Sequence, residues 1–233
     1  MANLSWKLGA VLRGEATDDL LESYGTERKA HVTELTQRIK AIGQLIGERD
    51  TALARARDVQ LLAQCQGLVK SVPRQDVQPA LQHGILSPQA HPARGTLFPQ
   101  PWVVQGTVMT RLDEVAGTGW RMVVRGVEGH PAFMQRSVGS ANLLHPLHLQ
   151  HITLSSTPQL GALQETDGVV AQWFEKHQCV AALVRPDHYV FGVAATTADV
   201  DDLVRSAERQ VTQAEHAAKV IPEKLASLIG DTV

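Results

Sequence analysis

A change of texture in the middle of the chain constrains its fold more than any other feature. From Val69 to Pro101 hydrophobic periodicity stops, glutamine becomes abundant, and six of the eleven prolines crowd together. Proline fixes φ and lacks a backbone donor, so such a stretch neither continues a helix nor sits inside a sheet. Upstream of it, apolar residues recur at helical spacing. Downstream they come in short runs divided by turns. This pattern predicts an N-terminal helical part, an irregular surface-lying connector and a C-terminal α/β part.

In the N-terminal part, residues 3–12 place Leu4, Leu8, Val11 and Leu12 on one helical stripe beside Trp6, and Gly14 follows as a stop. Nothing upstream supplies a surface for that stripe. It packs on the next helix, or the chain is the rear part of something longer. Thr17 reads as the N-cap of a second helix, with Asp18 and Asp19 suited to its dipole. Its apolar positions run through Leu20, Leu21, Tyr24, His31, Leu35, Ile39, Ile42 and Ile46. Gly25 weakens it, and Gly43 and Gly47 fray its end. A third helix is expected over residues 50–68.

The C-terminal part begins with a short helix at 112–116, a Gly117-Thr118-Gly119 turn and a buried strand at 120–126. Further strands are expected at 147–154, 179–184 and 189–194, with helices over 168–177 and from Val200 to Val211. Arg185-Pro186-Asp187-His188 makes the turn between the last two strands. The order β, β, α, β, β, α is that of a thioredoxin-like domain. The expected fold class is therefore mixed α+β or α/β. Its divisions are 1–68 (helical), 69–101 (connector), 102–212 (thioredoxin-like) and 213–233 (helical tail).

Composition narrows the function classes. Of 233 residues, 43% are hydrophobic and 20% charged, enough apolar material for a core; the formal charge of −2 lacks the basic footprint of a nucleic-acid binder. No apolar run reaches membrane-spanning length and no secretory leader opens the chain, so a cytoplasmic protein without a membrane partner is expected. Two cysteines, Cys65 and Cys179, form neither a CxxC nor a four-ligand zinc site.

The opening segment NLSWKLGAVLRGEATDDLLESYGTER resembles the end of the flavin-binding domain of the FAD-dependent aromatic-ring hydroxylases. Asn3, Leu4, Trp6, Lys7, Leu8, Leu20, Leu21, Ser23, Tyr24, Glu27 and Arg28 carry the match. Gly95-Thr96-Leu97-Phe98-Pro99-Gln100-Pro101 is similar to the family's entry into its C-terminal domain. Trp173 and Leu183-Val184-Arg185-Pro186-Asp187 are similar to that domain's last hairpin. The 3-(3-hydroxyphenyl)propionate hydroxylase branch is the nearest in appearance, and the match is weak over roughly 48–94.

The resemblance implies a helical remnant of a flavin-binding domain followed by a thioredoxin-like domain used for subunit contacts. It further implies hydroxylation of a phenolic or aromatic acid with FAD, NAD(P)H and O₂, in a homo-oligomer. The family holds the FAD pyrophosphate with a GxGxxG turn. These 233 residues contain no GxGxxG, so the chain reads as a C-terminal portion that alone binds no FAD and has no activity. A thioredoxin-like interaction module without catalysis is the competing reading. No catalytic residue is assigned.

Several residues are candidates for sites. Asn3 either lies near the flavin in an intact relative or caps its helix, the latter being the better reading. The Tyr24–Glu27–Arg28 group reads as a solvated helix face with one buried tyrosine. His145, His148 and His151 are spaced by three, but Pro146 breaks a helix there, and no metal site is expected. Asp199, Asp201 and Asp202 suit the dipole of the last helix, not calcium. Cys179, in an apolar run, reads as a small core residue.

Overall fold

A computed structural model describes residues 2–68, 77–126, 147–158 and 160–212. The expected tail at 213–233 and His145 lie outside the described residues. By contact the chain forms two units, Met1–Glu27 with Leu81–Val233, and Arg28–Ala80. Among the described residues no helix is long and apolar enough to cross a membrane.

The larger unit is built on one seven-stranded sheet. Its strands are β1 (Trp102–Gln105), β2 (Val108–Arg111), β3 (Arg121–Arg125), β4 (Gln150–Ser155), β5 (Leu163–Glu165), β6 (Ala181–Val184) and β7 (Val190–Ala194). They lie in the order β2-β1-β5-β4-β3-β6-β7. β3 runs parallel to β4 and antiparallel to β6, and β6 is antiparallel to β7. With helices α5 (Val169–His177) and α6 (Val200–Thr212) in their expected places, β4-β3-β6-β7 gives the thioredoxin-like arrangement.

Both faces of this sheet are covered, which explains the unbroken apolar runs in β3 and β6. Met122, Val124, Leu183 and Phe191 join one core with Ala10, Leu20, Trp120 and Leu203. Val123, Ala182 and Val184 join the other with Leu112, Val170 and Phe174. The period of two along a strand assigns neighbours to opposite cores. Leu112 comes from helix α4 (Leu112–Ala116), which the sequence predicts.

The structure departs from the sequence expectations at several points. The hairpin of β1 and β2, turning at Gly106 with φ 64°, escaped the sequence reading because Val108 and Met109 are exposed and leave no alternation. β5 is only three residues long. The expected strand at 147–154 begins at Gln150, because His148 has φ 46° and interrupts extended backbone. The proline-rich segment is not surface-lying from residue 81 onward. Leu81, Ile85, Leu86 and Ala93 are buried. Backbone bonds from Ser87 N to Phe191 O (2.9 Å) and Gly95 N to Val190 O (2.8 Å) tie it to β7.

Helix α1 (Ala2–Leu12) belongs to this unit and ends at Gly14, whose φ is 71°. Its apolar stripe faces outward: Leu4, Leu8 and Leu12 are exposed, and Asn3, Lys7 and Ala10 are buried. Of the two expectations for this stripe, packing on the next helix fails, and of its residues only Val11 packs against the core. Helix α2 spans Asp19–Ile46. The Thr17 hydroxyl reaches Asp19 Oδ2 at 3.4 Å, so Thr17 does not cap a helix amide; its carbonyl accepts from Leu20 N.

The smaller unit holds the rest of α2 and helix α3 (Thr51–Gln64). Asp50 caps α3 by accepting from Ala52 N (2.8 Å) and Leu53 N (3.0 Å). His31 Nε2 bonds Pro79 O at 3.0 Å, and Arg57 Nη1 donates to Leu45 O at 2.6 Å. No residue of α3 is buried.

Candidate functional site

The residues that interrupt the apolar logic of α1 and α2 meet in one buried ionic network. Arg185, at the end of β6, is fully buried. Its Nη1 donates to Glu27 Oε1 (3.0 Å) and Ile85 O (2.8 Å). Its Nη2 donates to Glu27 Oε2 and Asp187 Oδ2 (both 2.8 Å), and its Nε to Asp187 Oδ1 (3.0 Å). All five guanidinium N–H groups are thus used, in two bidentate forks and a bond to backbone. Lys7 Nζ lies 2.9 Å from Glu27 Oε2 and donates to Ser23 Oγ at 2.7 Å. Asn3 Nδ2 donates to Glu27 Oε2 and Asp187 Oδ2, both at 2.7 Å.

Two cations face two carboxylates, so the network is neutral, which buried charges require. Burial by itself would raise the Glu27 carboxyl, but the Arg185 guanidinium, with Lys7 and Asn3, holds it down at about 2. Burial lowers Lys7 to about 8 against the pull of Glu27. Burial opposes the charge on Arg185 too, yet Glu27 and Asp187 raise its affinity for the proton above the usual. Glu27 also accepts from Ile85 N at 2.8 Å. Gly84 allows this approach: it has φ 97°, and a Cβ there would stand 2.1 Å from Glu27 Cγ.

These positions differ from several of the sequence expectations. Asn3 does not cap α1: its amide nitrogen is committed to the network, and its Oδ1 is buried with no hydrogen-bond partner among the described residues. In the Tyr24–Glu27–Arg28 group the glutamate, not the tyrosine, is buried; Tyr24 is exposed and Arg28 Nη1 meets His31 Nδ1 at 2.9 Å. His148 Nε2 pairs with Glu15 Oε1 at 2.9 Å, and His151 lies in β4. Among the described residues no three His, Cys, Asp or Glu side chains are grouped to hold a metal. Asp199 completes a capping box with Thr196, and Asp201 and Asp202 occupy the first turn of α6. Cys179 is buried, and burial pushes its thiol up to about 11, which suppresses thiolate chemistry.

Beside the network lies a cavity of about 510 Å³ lined by Trp6, Ala10, Trp120, Leu147, His148 and His188, among others. The Trp6 and Trp120 rings meet edge to face at 5.7 Å. Around His188, Arg121 Nη2 stands 2.8 Å from its Nδ1, and Arg121 Nη1 donates to Asp113 Oδ1 at 2.5 Å. Burial would raise Asp113, but His188 and Arg121 hold it below the usual carboxylate range.

The N-termini of α3, α5 and α6 are not open to an FAD pyrophosphate. Such a group needs free amides at a helix N-terminus. Those of α3 are taken by Asp50. The Glu165 carboxylate occupies Val170 N (2.5 Å) and Ala171 N (3.0 Å) of α5, and Asp199 closes the turn before α6. What the network does is mechanical. It locks α1, the start of α2, the segment around Ile85 and the turn after β6 to one another.

Comparison with known proteins agrees with this geometry. Residues 1–39 match the model of an FAD binding domain, and residues 95–210 match that of the HcaD C-terminal domain. The chain is 36% identical, over 205 residues, to a probable NADH-specific resorcinol 4-hydroxylase of Rhodococcus jostii, covering 87% of this chain and 37% of that protein. It is 30% identical over 207 residues to a 3-(3-hydroxy-phenyl)propionate/3-hydroxycinnamic acid hydroxylase of Mycolicibacterium gilvum, covering 81% and 36%. The chain therefore spans a little over a third of the length of these relatives. Its fold is like that of the flavin-dependent monooxygenase PieE (TM-score 0.61, 19% identity, 90% of this chain and 42% of that one). Aklavinone-11 hydroxylase is similar too, with a TM-score of 0.53 and 22% identity over 91% of this chain and 38% of that one. The segments that carry these matches are those that converge on Glu27 and Arg185, and the chain belongs to the FAD-dependent aromatic-ring hydroxylase family, to whose C-terminal portion it corresponds.

Proposed function

We propose that this chain forms the C-terminal part of an FAD-dependent monooxygenase that hydroxylates a small phenolic or aromatic acid with NAD(P)H and O₂ in the cytoplasm. A polypeptide of these 233 residues alone retains no FAD and does not turn over. One observation carries the reading: the network of Lys7, Glu27, Arg185 and Asp187 binds the helix that follows the family's flavin site to the thioredoxin-like sheet. The names of the relatives support the substrate class. Asn3 remains the residue we propose beside the flavin, through the backbone of the first turn of α1, since its side chain is committed inward. The divisions proposed are 1–68 for the end of the flavin-binding domain, 69–101 for the connector, 102–212 for the thioredoxin-like domain and 213–233 for the tail.

The flavin itself supplies the oxygen chemistry in this family. This chain's residues contribute position: Asn3 and Lys7 tie α1 to Glu27 and Asp187, which the Arg185 forks hold in turn, and Trp6 of α1 meets Trp120 edge to face. The test is to purify the chain, release any ligand by heat, and assay flavin fluorescence and NADPH oxidation with 3-hydroxyphenylpropionate or resorcinol. A colourless, inactive protein is expected. Stoichiometric FAD in the supernatant overturns the claim for the isolated chain. The competing reading, a non-catalytic module that assembles copies of itself, draws on the apolar residues exposed on α1.

A further inference from the structure

None of Asn3, Lys7, Glu27, Arg185 and Asp187 lines the cavity beside them. At about 510 Å³ that cavity lies within the range of ligand pockets, about 300–1,000 Å³. Its apolar wall is made by Trp6 of α1, Trp120 before β3, Leu147 and Pro186. Trp120 is buried and held edge to face between Trp6 (5.7 Å) and Phe191 (5.9 Å), so the wall offers fixed aromatic surface to a planar ring. The charged groups of the lining are engaged with one another. Arg13 Nε and Nη2 donate to the two oxygens of Glu15 (2.6 and 2.8 Å), and Glu15 Oε1 also accepts from His148 Nε2 at 2.9 Å. The Arg13–Glu15 pair is neutral, so a charged ligand would find no unpaired counter-charge there.

Two ring nitrogens of the lining are left over. His148 gives its Nε2–H to a carboxylate, so in an uncharged ring its Nδ1 keeps a lone pair. His188 Nδ1 stands 2.8 Å from Arg121 Nη2, while Asp113 Oδ2, at 3.4 Å, is beyond hydrogen-bond distance. Arginine only donates, so Nδ1 accepts and the ring proton sits on Nε2. Among the described residues neither His148 Nδ1 nor His188 Nε2 is bonded. We propose that this cavity binds a small uncharged phenol. Its ring lies against Trp6 and Trp120, and its hydroxyl accepts from His188 Nε2 and donates to His148 Nδ1. A hydroxyl is the smallest group that serves both histidines. A carboxylate brings no proton for His148 and an uncompensated charge, and an aliphatic alcohol lacks the flat face.

The test is a titration of the full, nitrogen-15-labelled chain with phenol at about pH 8, below the range in which a phenol ionises. The chain has four tryptophans; Trp6 and Trp120 line the cavity and Trp102 and Trp173 do not, so the indole N–H signals, assigned by single Trp→Phe variants, carry their own control. Saturable shifts are expected at Trp6 and Trp120 alone, with half-saturation at about 1 mM or below. Benzoate and cyclohexanol should bind about tenfold more weakly or worse. Gly119 lines the cavity, and a Cβ there would meet only His148 O, at 3.6 Å, so Gly119→Leu has room for its side chain and should abolish the shifts. His188→Asn, which suits the left-handed backbone at that position (φ 69°), should weaken phenol by about three- to tenfold. Far-UV circular dichroism checks folding, and the two substitutions lie in different turns, so one remains if the other unfolds. No saturable shift, equal shifts at all four tryptophans, benzoate binding as tightly as phenol, or unchanged binding in a folded variant overturns the proposal. Neither flavin nor turnover is needed, so this outcome is separate from that of the activity assay.

Discussion

Arg185 and Glu27 show how a residue's role follows from its partners. Removing one member of a buried, neutral network strands the other charges in the interior. Glu27→Ala should therefore cost about 3–5 kcal/mol, measured by urea denaturation of the chain. The network also sets a pH dependence. The fold lowers the Glu27 carboxyl from 4.5 to about 2, so its contribution is full above pH 4.5 and lost as the pH falls toward 2. That contribution is on the order of 3 kcal/mol. In Glu27→Gln the difference between stability at pH 5 and pH 3 should shrink accordingly. Lys7 is lowered from 10.5 to about 8, so below pH 8 the fold carries the cost of its charge, and stability should rise between pH 8 and 10.5. Lys7→Met should remove that rise.

At the scale of the element, α1 is the instructive case. Its leucines point outward and its lysine inward, so hydrophobicity misjudges which substitutions matter. Leu12→Gln should change stability by less than about 0.5 kcal/mol, since Leu12 is 78% exposed. Leu20→Ala, at a fully buried side chain in the core around Trp120, should cost about 2–5 kcal/mol. The segment before β1 is similar: it lacks helix or strand periodicity, yet it is held by backbone bonds to β7 and by Gly84 beneath Glu27. Gly84→Ala combines a left-handed backbone with a collision against Glu27 and should cost about 3 kcal/mol or more. Thermal unfolding of the three variants in parallel separates these outcomes.

For the whole molecule, the two units differ in what holds them. The larger has three buried apolar clusters and a seven-stranded sheet, while no residue of α3 in the smaller is fully buried. Limited proteolysis should thus cut first within residues 47–68 and spare 81–101, whose backbone is pinned. After the cut, the N-terminal fragment should co-elute with the C-terminal one in size exclusion, held by Lys7, Glu27 and Arg185, and should separate in urea. Early cleavage between 81 and 101, or immediate loss of the N-terminal fragment, would count against this account.

The sequence by itself determined the parts whose causes are local. β3, α5, the hairpin of β6 and β7, and α6 were legible because periodicity, turn residues and short apolar runs act within a few residues. The family was legible because its motifs are contiguous strings. Tertiary structure alone decided where those strings meet. Asn3 and Asp187 are 184 residues apart, and no window of sequence reveals that they share a hydrogen bond. A buried charge is tolerated only where its complement arrives from elsewhere in the chain. Lys7 inside and Leu8 outside therefore follow from the arrival of Glu27 and Arg185, not from the helix that carries them.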